Sequence, residues 1–227
     1  MTQILIQKLK IAKRAVILLQ LVPYIRMIAL CNSVAKGKVC AQSDIDLFII
    51  ARHNHIFTVR YFTIFFLTLF GLKTYPQKGI CANRVCTSFF LSDYSLNLDR
   101  LNTGKRDRLL RADWILNLIP IFNDSNAYMD FVDKNSWIKK YYKSYYLDMS
   151  VKSRNISVSI GMFILRKMLE LIFYFGIGWI VEKIVRHIQI QRLMRFKHAH
   201  HGEERMVIND QIIKLHYRSD DKKRDLF

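Results

Sequence analysis

Acidic residues are scarce in this sequence: 18 Asp and Glu stand against 36 Lys and Arg in 227 residues, a formal charge of +18. The excess runs along the whole chain, and a field of that sign favours polyanions: nucleic acid, a nucleoside triphosphate or an anionic membrane surface. Cysteines are few as well, namely Cys31, Cys40, Cys81 and Cys86, with no CxxC pair among them. That spacing argues against a disulfide scaffold and points to free thiols in a reducing cytoplasm. A zinc site combining Cys81 and Cys86 with one of His198, His200 and His201 lacks the paired spacing such sites use.

A long uninterrupted apolar run is also missing. Tyr61 to Leu72 falls short of the roughly 20 residues that cross a bilayer, and Ile156 to Ile184 is broken by Arg166, Lys167, Glu170, Glu182 and Lys183. No transmembrane segment is expected. Met1 to Leu21 is basic and amphipathic, with Lys8, Lys10, Lys13 and Arg14 among aliphatics, but has no small-residue cleavage site. It reads as a first helix rather than a signal peptide, and the expected location is cytoplasmic. There is no Walker-type loop, no Ser/His/Asp arrangement and no internal repeat.

What is present is enough apolar surface to fold, since 51% of the residues are hydrophobic. The spacing predicts a helix over Ile4–Leu21 ending before Pro23, strands at Ile25–Cys31 and Asp44–Ala51, and a buried helix over Ile56–Leu72 that closes at Gly71. A strand at Arg84–Leu91 follows, then helices at Lys105–Leu118 and Ala127–Val132 separated by a break at Pro120, and an aromatic stretch from Trp137 to Tyr146. A polar connector at Asp148–Asn155 precedes a long helical pattern to about Phe196 and a charged tail with a brief apolar stretch, Met206–Leu215. The expected class is α+β. A small mixed β-sheet flanked by helices would occupy residues 1–150, and a helical C-terminal lobe residues 151–227.

The chemistry concentrates in Asn32 to Ile50, NSVAKGKVCAQSDIDLFII. A strand runs into a turn bearing Ser33, Lys36 and Gly37, and the next strand opens with Asp44 and Asp46 on one face. Backbone N–H groups and the Ser33 hydroxyl can meet phosphate oxygens, and Gly37 lets the backbone approach closely. Two carboxylates on one strand face can share Mg²⁺ or Mn²⁺, because hard cations take oxygen ligands. Such ions would neutralise and orient a triphosphate for in-line attack by a hydroxyl.

This stretch resembles the nucleotidyltransferase superfamily, whose members show a Gly-Ser turn, a basic-Gly step and an Asp-x-Asp pair in an SDIDL context; here the sequence is SDIDLFII. The Trp137 region and the late Gln191, Met194 and His216 pattern are similar to uncharacterised bacterial nucleotidyltransferase-domain proteins. The resemblance implies a polymerase-beta-like fold and transfer of a nucleoside monophosphate from an NTP to an acceptor that the sequence does not identify. Asp44 and Asp46 would be the catalytic metal ligands, with Ser33, Lys36 and Gly37 holding the triphosphate. Two positions depart from the pattern. Asn32 stands where the family has glycine, and asparagine tolerates left-handed backbone. The third carboxylate that many members carry on a neighbouring strand has no counterpart in RVCTSFFL, which offers Thr87 and Ser88; Asp93 lies just beyond.

Those departures define the alternative: a catalytically inactive module of the same fold that binds nucleotide, nucleic acid or a partner protein. Tyr141, Tyr142, Tyr145 and Tyr146 interleave with Lys139, Lys140 and Lys143 and could stack on bases, although on a helix half of them would face a core. A third reading, a basic helical scaffold on nucleic acid or a membrane, rests on charge alone.

Overall fold

A computed structural model describes residues 2–75, 79–101, 104–143, 160–174, 176–199 and 206–215. Within them lie α1 (Gln3–Leu19), β1 (Ile25–Leu30), α2 (Asn32–Ala35), β2 (Ile45–Ala51), α3 (Ile56–Leu69), β3 (Val85–Ser92), α4 (Lys105–Leu116), β4 (Ile119–Asn123) and α5 (Ala127–Lys134). These are followed by α6 (Ile160–Tyr174), α7 (Ile177–Ala199), β5 (Val207–Ile208) and β6 (Ile212–Lys214), and 3-10 turns occupy Leu98–Leu101 and Ser136–Lys140. The α+β reading holds at that level: one six-stranded mixed sheet and seven α-helices among the described residues. The expected connector at residues 148–155, together with Tyr145, Tyr146, His200, His201 and His216, lies outside the described residues.

The strand order is β4-β1-β2-β3-β6-β5, with β2 and β3 parallel and every other pair antiparallel. β2 sits inside the sheet and every one of its residues is buried, as expected of a strand covered on both faces. Ile45, Leu47 and Ile49 pack with Val16, Phe57 and Val185 from α1, α3 and α7. Phe48 and Ile50 face the opposite way, against Ala112 and Ile115 of α4 and Phe131 of α5. The sheet therefore lies between two helical layers, and the alternation along β2 decides which layer each side chain meets.

Three expectations give way. Pro120 does not merely break a helix: it lies in β4, an edge strand paired with β1, where a residue without an N–H can be accommodated on the unpaired side. The long pattern after residue 156 is two helices, separated where Gly176 adopts φ 86°, a conformation that glycine takes without steric cost. The apolar stretch near the C-terminus is a hairpin whose β6 pairs with β3, Phe90 opposite Ile213; its short strands are hard to distinguish from a tail by pattern.

α7 is tied to the first part of the chain through charge. Glu182, buried on α7, accepts hydrogen bonds from the backbone N–H groups of Phe57 (3.0 Å) and Thr58 (2.7 Å) at the start of α3. A carboxylate there satisfies donors that a helix leaves open at its N-terminus and meets the positive end of its dipole. Nearby, the Gln189 side chain donates to the Phe57 carbonyl at 2.8 Å. Glu182→Ala should lower the unfolding free energy by about 2–4 kcal/mol in urea titrations, and Glu182→Gln, which keeps one acceptor, should lower it by less. An unchanged denaturation midpoint for Glu182→Ala would show that the clamp contributes nothing.

Candidate metal centre

The centre is built where β1 hands over to β2. At the end of β1, the Cys31 N–H donates to the Asp46 carbonyl at 3.1 Å, so the chain enters α2 directly beside Asp46. Asn32, the first residue of α2, has φ 53°, and the expected left-handed turn forms without glycine. The Asn32 side chain then works in both directions: its Nδ2 donates to Asp46 Oδ2 at 3.0 Å, and its Oδ1 accepts from Trp114 Nε1 at 3.1 Å. Trp114 itself packs on Phe48 and Phe89, with ring centroids 5.3 and 5.4 Å away. An aromatic cluster in the core thereby orients one carboxylate.

That carboxylate is only 5% exposed on a strand whose other residues are all apolar. A buried charge is costly unless partnered, and Asp46 has partners on both sides. In the β2/β3 register Asp46 stands opposite Cys86 and Phe48 opposite Phe89, so β3 carries one extra residue between these pairs. Strict alternation would send Cys86 to the same face as Phe90, toward α1 and α3. The bulge turns it to the face of Asp46, as bulges beside functional sites commonly re-aim a side chain. The thiol hydrogen-bonds to Asp46, and burial together with the charges of Asp46 and Asp44 pushes its pKa far above the usual cysteine range.

Asp44, Asp46 and Cys86 bring one ligand atom each to within 4.8 Å of one another, a cluster that could hold a metal ion. Asp44 sits just before β2 and is held from outside. Lys8, fully buried on α1, donates to the carbonyl of Ser43 (2.6 Å) and to Asn83 Oδ1 (3.0 Å). Burial lowers the Lys8 pKa, and the charges of Cys40 and Asp44 act in the opposite direction. Lys8 thus fastens α1 to the loops that open both β2 and β3.

The turn residues take up distinct positions. Ser33 is half-buried in the first turn of α2, and its carbonyl accepts from the Lys38 N–H at 2.9 Å. Gly37 ends that turn at φ 69°, and a Cβ there would meet only Leu5 Cδ2 at 3.9 Å, so positive φ rather than close approach calls for glycine. Lys36 Nζ is ion-paired with Asp113 Oδ2 of α4 at 2.6 Å. Asp93 does not join the cluster. Its N–H bonds the carbonyl of Ala51, the last residue of β2, which places it at the opposite end of the strand, about 20 Å from Asp46 at ~3.3 Å per residue. There it accepts from the His53 N–H at 2.7 Å and pairs with Arg26 at 3.9 Å.

Cys86, Trp114 and Lys8 are absent from the sequence-based site. The only signal for Cys86 was its place at the start of a strand neighbouring Asp46, and the bulge hides its face from alternation. Trp114 and Lys8 depend on contacts across 82 and 75 residues, respectively.

Comparison with protein-family models, with curated proteins and with solved structures finds no match to this chain.

Asn32→Gly should preserve the turn and lose the two side-chain hydrogen bonds, at a cost of about 1–2 kcal/mol. Asn32→Ala should cost roughly 1 kcal/mol more, because alanine resists the left-handed backbone. Equal denaturation midpoints for the two variants would contradict the role assigned to the backbone at this position.

Proposed function

We propose that this chain is a metal-dependent nucleotidyltransferase that moves a nucleoside monophosphate from an NTP to an acceptor, with pyrophosphate leaving. The observation that carries the reading is the convergence of Asp44, Asp46 and Cys86 on one small volume beside the turn that presents Ser33. Asp44 and Asp46 would hold the cation, with Cys86 in the place where a third carboxylate would otherwise stand. A bound divalent cation would supply charge neutralisation for the triphosphate and activation of an acceptor hydroxyl.

The chain's own residues would do the rest. The Ser33 hydroxyl and the N–H groups of the first turn of α2 would meet phosphate oxygens, since those of Lys36, Gly37 and Lys38 already bond carbonyls within the turn. Lys36 would reach a phosphate by exchanging Asp113 for it, an exchange open to a pair whose side chains are 32% and 47% exposed. Asn32 and Trp114 keep Asp46 aimed. The net charge of +18 would draw a triphosphate or a nucleic acid toward the site. A donor set containing a thiol is softer than three carboxylates, which favours Mn²⁺ or Zn²⁺ over Mg²⁺.

One observation favours a second reading, a nucleotide-binding module without turnover: the third position is a cysteine rather than a carboxylate, and burial together with the charges of Asp46 and Asp44 raises its pKa. The two readings separate in one experiment. The purified protein is incubated with each radiolabelled NTP and Mg²⁺ or Mn²⁺, beside Asp44→Ala, Asp46→Ala and Cys86→Asp. Pyrophosphate release and labelled product, self-modification included, are scored. The wild type should transfer label better with Mn²⁺, and either aspartate variant should lose about 10³-fold or more. Cys86→Asp should shift the preference toward Mg²⁺. Metal-dependent nucleotide binding without transfer would establish the module, and no nucleotide binding at all would sink the assignment of the site.

A further inference from the structure

The helices α6 and α7 both leave apolar side chains on their outer faces, and α6 is built inside out. In a soluble amphipathic helix the apolar stripe faces the core and the charges face water. On α6 the most deeply buried side chain is Arg166, 1% exposed, which pairs with Asp124 at 3.4 Å and lies over the ring of Phe122. Glu170, one turn later, accepts from the Tyr24 backbone N–H at 3.1 Å. The outward positions are apolar: Ile160, Ile164, Met168, Leu171 and Ile172 are all more than half exposed. α7 differs on its inner side, where Glu182 and Gln189 are buried beside the core residues Val185 and Leu193, but it too leaves Trp179, Ile180 and Ile184 more than half exposed outward.

Charge is sorted in the same way. The two acids of these helices, Glu170 and Glu182, both point into the fold. The charged residues on the outer surface are basic: Lys167, Lys183, Arg186, Arg192 and Arg195. Arg186 is paired with Asp210, and Lys183 Nζ sits 3.6 Å from the ring centroid of Trp179, close to the turn between the helices. A Phe173–Phe62 ring contact, with centroids 6.2 Å apart, carries the apolar surface onto α3, where Tyr61, Phe65 and Leu69 are exposed. A surface of this extent marks an interaction site.

We propose that the α6–α7 hairpin, continued by the outer stripe of α3, docks this protein on the surface of an anionic lipid bilayer. Apolar side chains enter the acyl boundary, while Lys and Arg meet lipid phosphates and Trp179 lies at the interface, the arrangement that interfacial helices use. The polar anchors face the protein, as polar groups at membrane depth do. Among the described residues no helix is long and apolar enough to cross a membrane, and α6, with 15 residues, is about 22 Å long, which fits a helix lying in one leaflet. The charge pattern selects the bilayer over a second copy of the chain, because a self-complementary contact would place cations against cations in a protein of net charge +18.

The test uses the full chain and sedimentation with vesicles of phosphatidylcholine alone or mixed with phosphatidylglycerol at about 30% (order of magnitude set by anionic leaflets). Binding should be at least about tenfold stronger to the anionic vesicles and should weaken as salt is raised. The paired substitution Met168→Glu, Ile172→Glu, on exposed positions, should lower partitioning by about tenfold or more while leaving the circular dichroism and melting temperature unchanged. Tryptophan fluorescence should be quenched by brominated lipid chains in the wild type, and Trp179→Phe should remove that quenching. Failure to bind anionic vesicles, or equal binding to neutral ones, would overturn the proposal. So would a stable dimer in sedimentation velocity that the paired substitution dissolves, which would assign the face to a second copy.

Discussion

The structure around the candidate centre depends on accommodating a carboxyl group inside an apolar sheet. Asp46 is buried on β2, the strand both of whose faces are covered. Without compensation that position would be prohibitively costly. Asn32 and Cys86 bond the carboxyl group directly, and two further segments hold the surroundings in place. Asn32 donates from the β1–α2 turn, Trp114 of α4 fixes Asn32, a bulge in β3 delivers Cys86, and Lys8 of α1 secures the loop before Asp44. Three of these are departures from the locally simplest choice: a non-glycine residue at positive φ, an irregular strand, a fully buried lysine. Such departures collected around one side chain are what a functional site imposes on a fold.

How much of this was legible in the sequence depends on the range of the interaction. The Asp44/Asp46 pair and the turn at 32–37 are local, and the strand period and turn residues disclose them directly. Asn32 is the clearest case, since the left-handed tolerance of asparagine suffices to expect the observed φ of 53°. Cys86 was hidden because period-two alternation assigns the wrong face across a bulge, and nothing in the string VCTS announces one. Asp93 attracted notice through proximity along the chain to β3, but a parallel pairing of β2 with β3 puts the start of one strand beside the start of the other and leaves Asp93 at the far end. β4 and β6 were missed for a related reason: short strands carry little periodicity, and their pairing in the sheet is decided by partners about a hundred residues away or more.

The helical hairpin shows the same limit from the other side. Its charges excluded a membrane span when the sequence was read along its length, because Arg166, Glu170 and Glu182 interrupt the apolar run. Three dimensions reverse the meaning of those interruptions. They point into the protein and anchor the helices to Asp124, Tyr24 and the start of α3, while a row of apolar residues faces outward. The basic surplus that first suggested a polyanionic partner thus has two separate proposed uses, one near the phosphate-type turn and one around the hairpin. These uses are independent, and each can fail without the other.

The central claim is that Asp44, Asp46 and Cys86 form a single metal site. Titration of the metal-free protein with Co²⁺, followed by absorption spectroscopy, addresses it without reference to any substrate. A thiolate-to-cobalt charge-transfer band should appear at one equivalent in the wild type, and it should disappear in Cys86→Ser and weaken strongly in Asp46→Asn. A band that survives Cys86→Ser, or no saturable cobalt binding at all, would contradict the account.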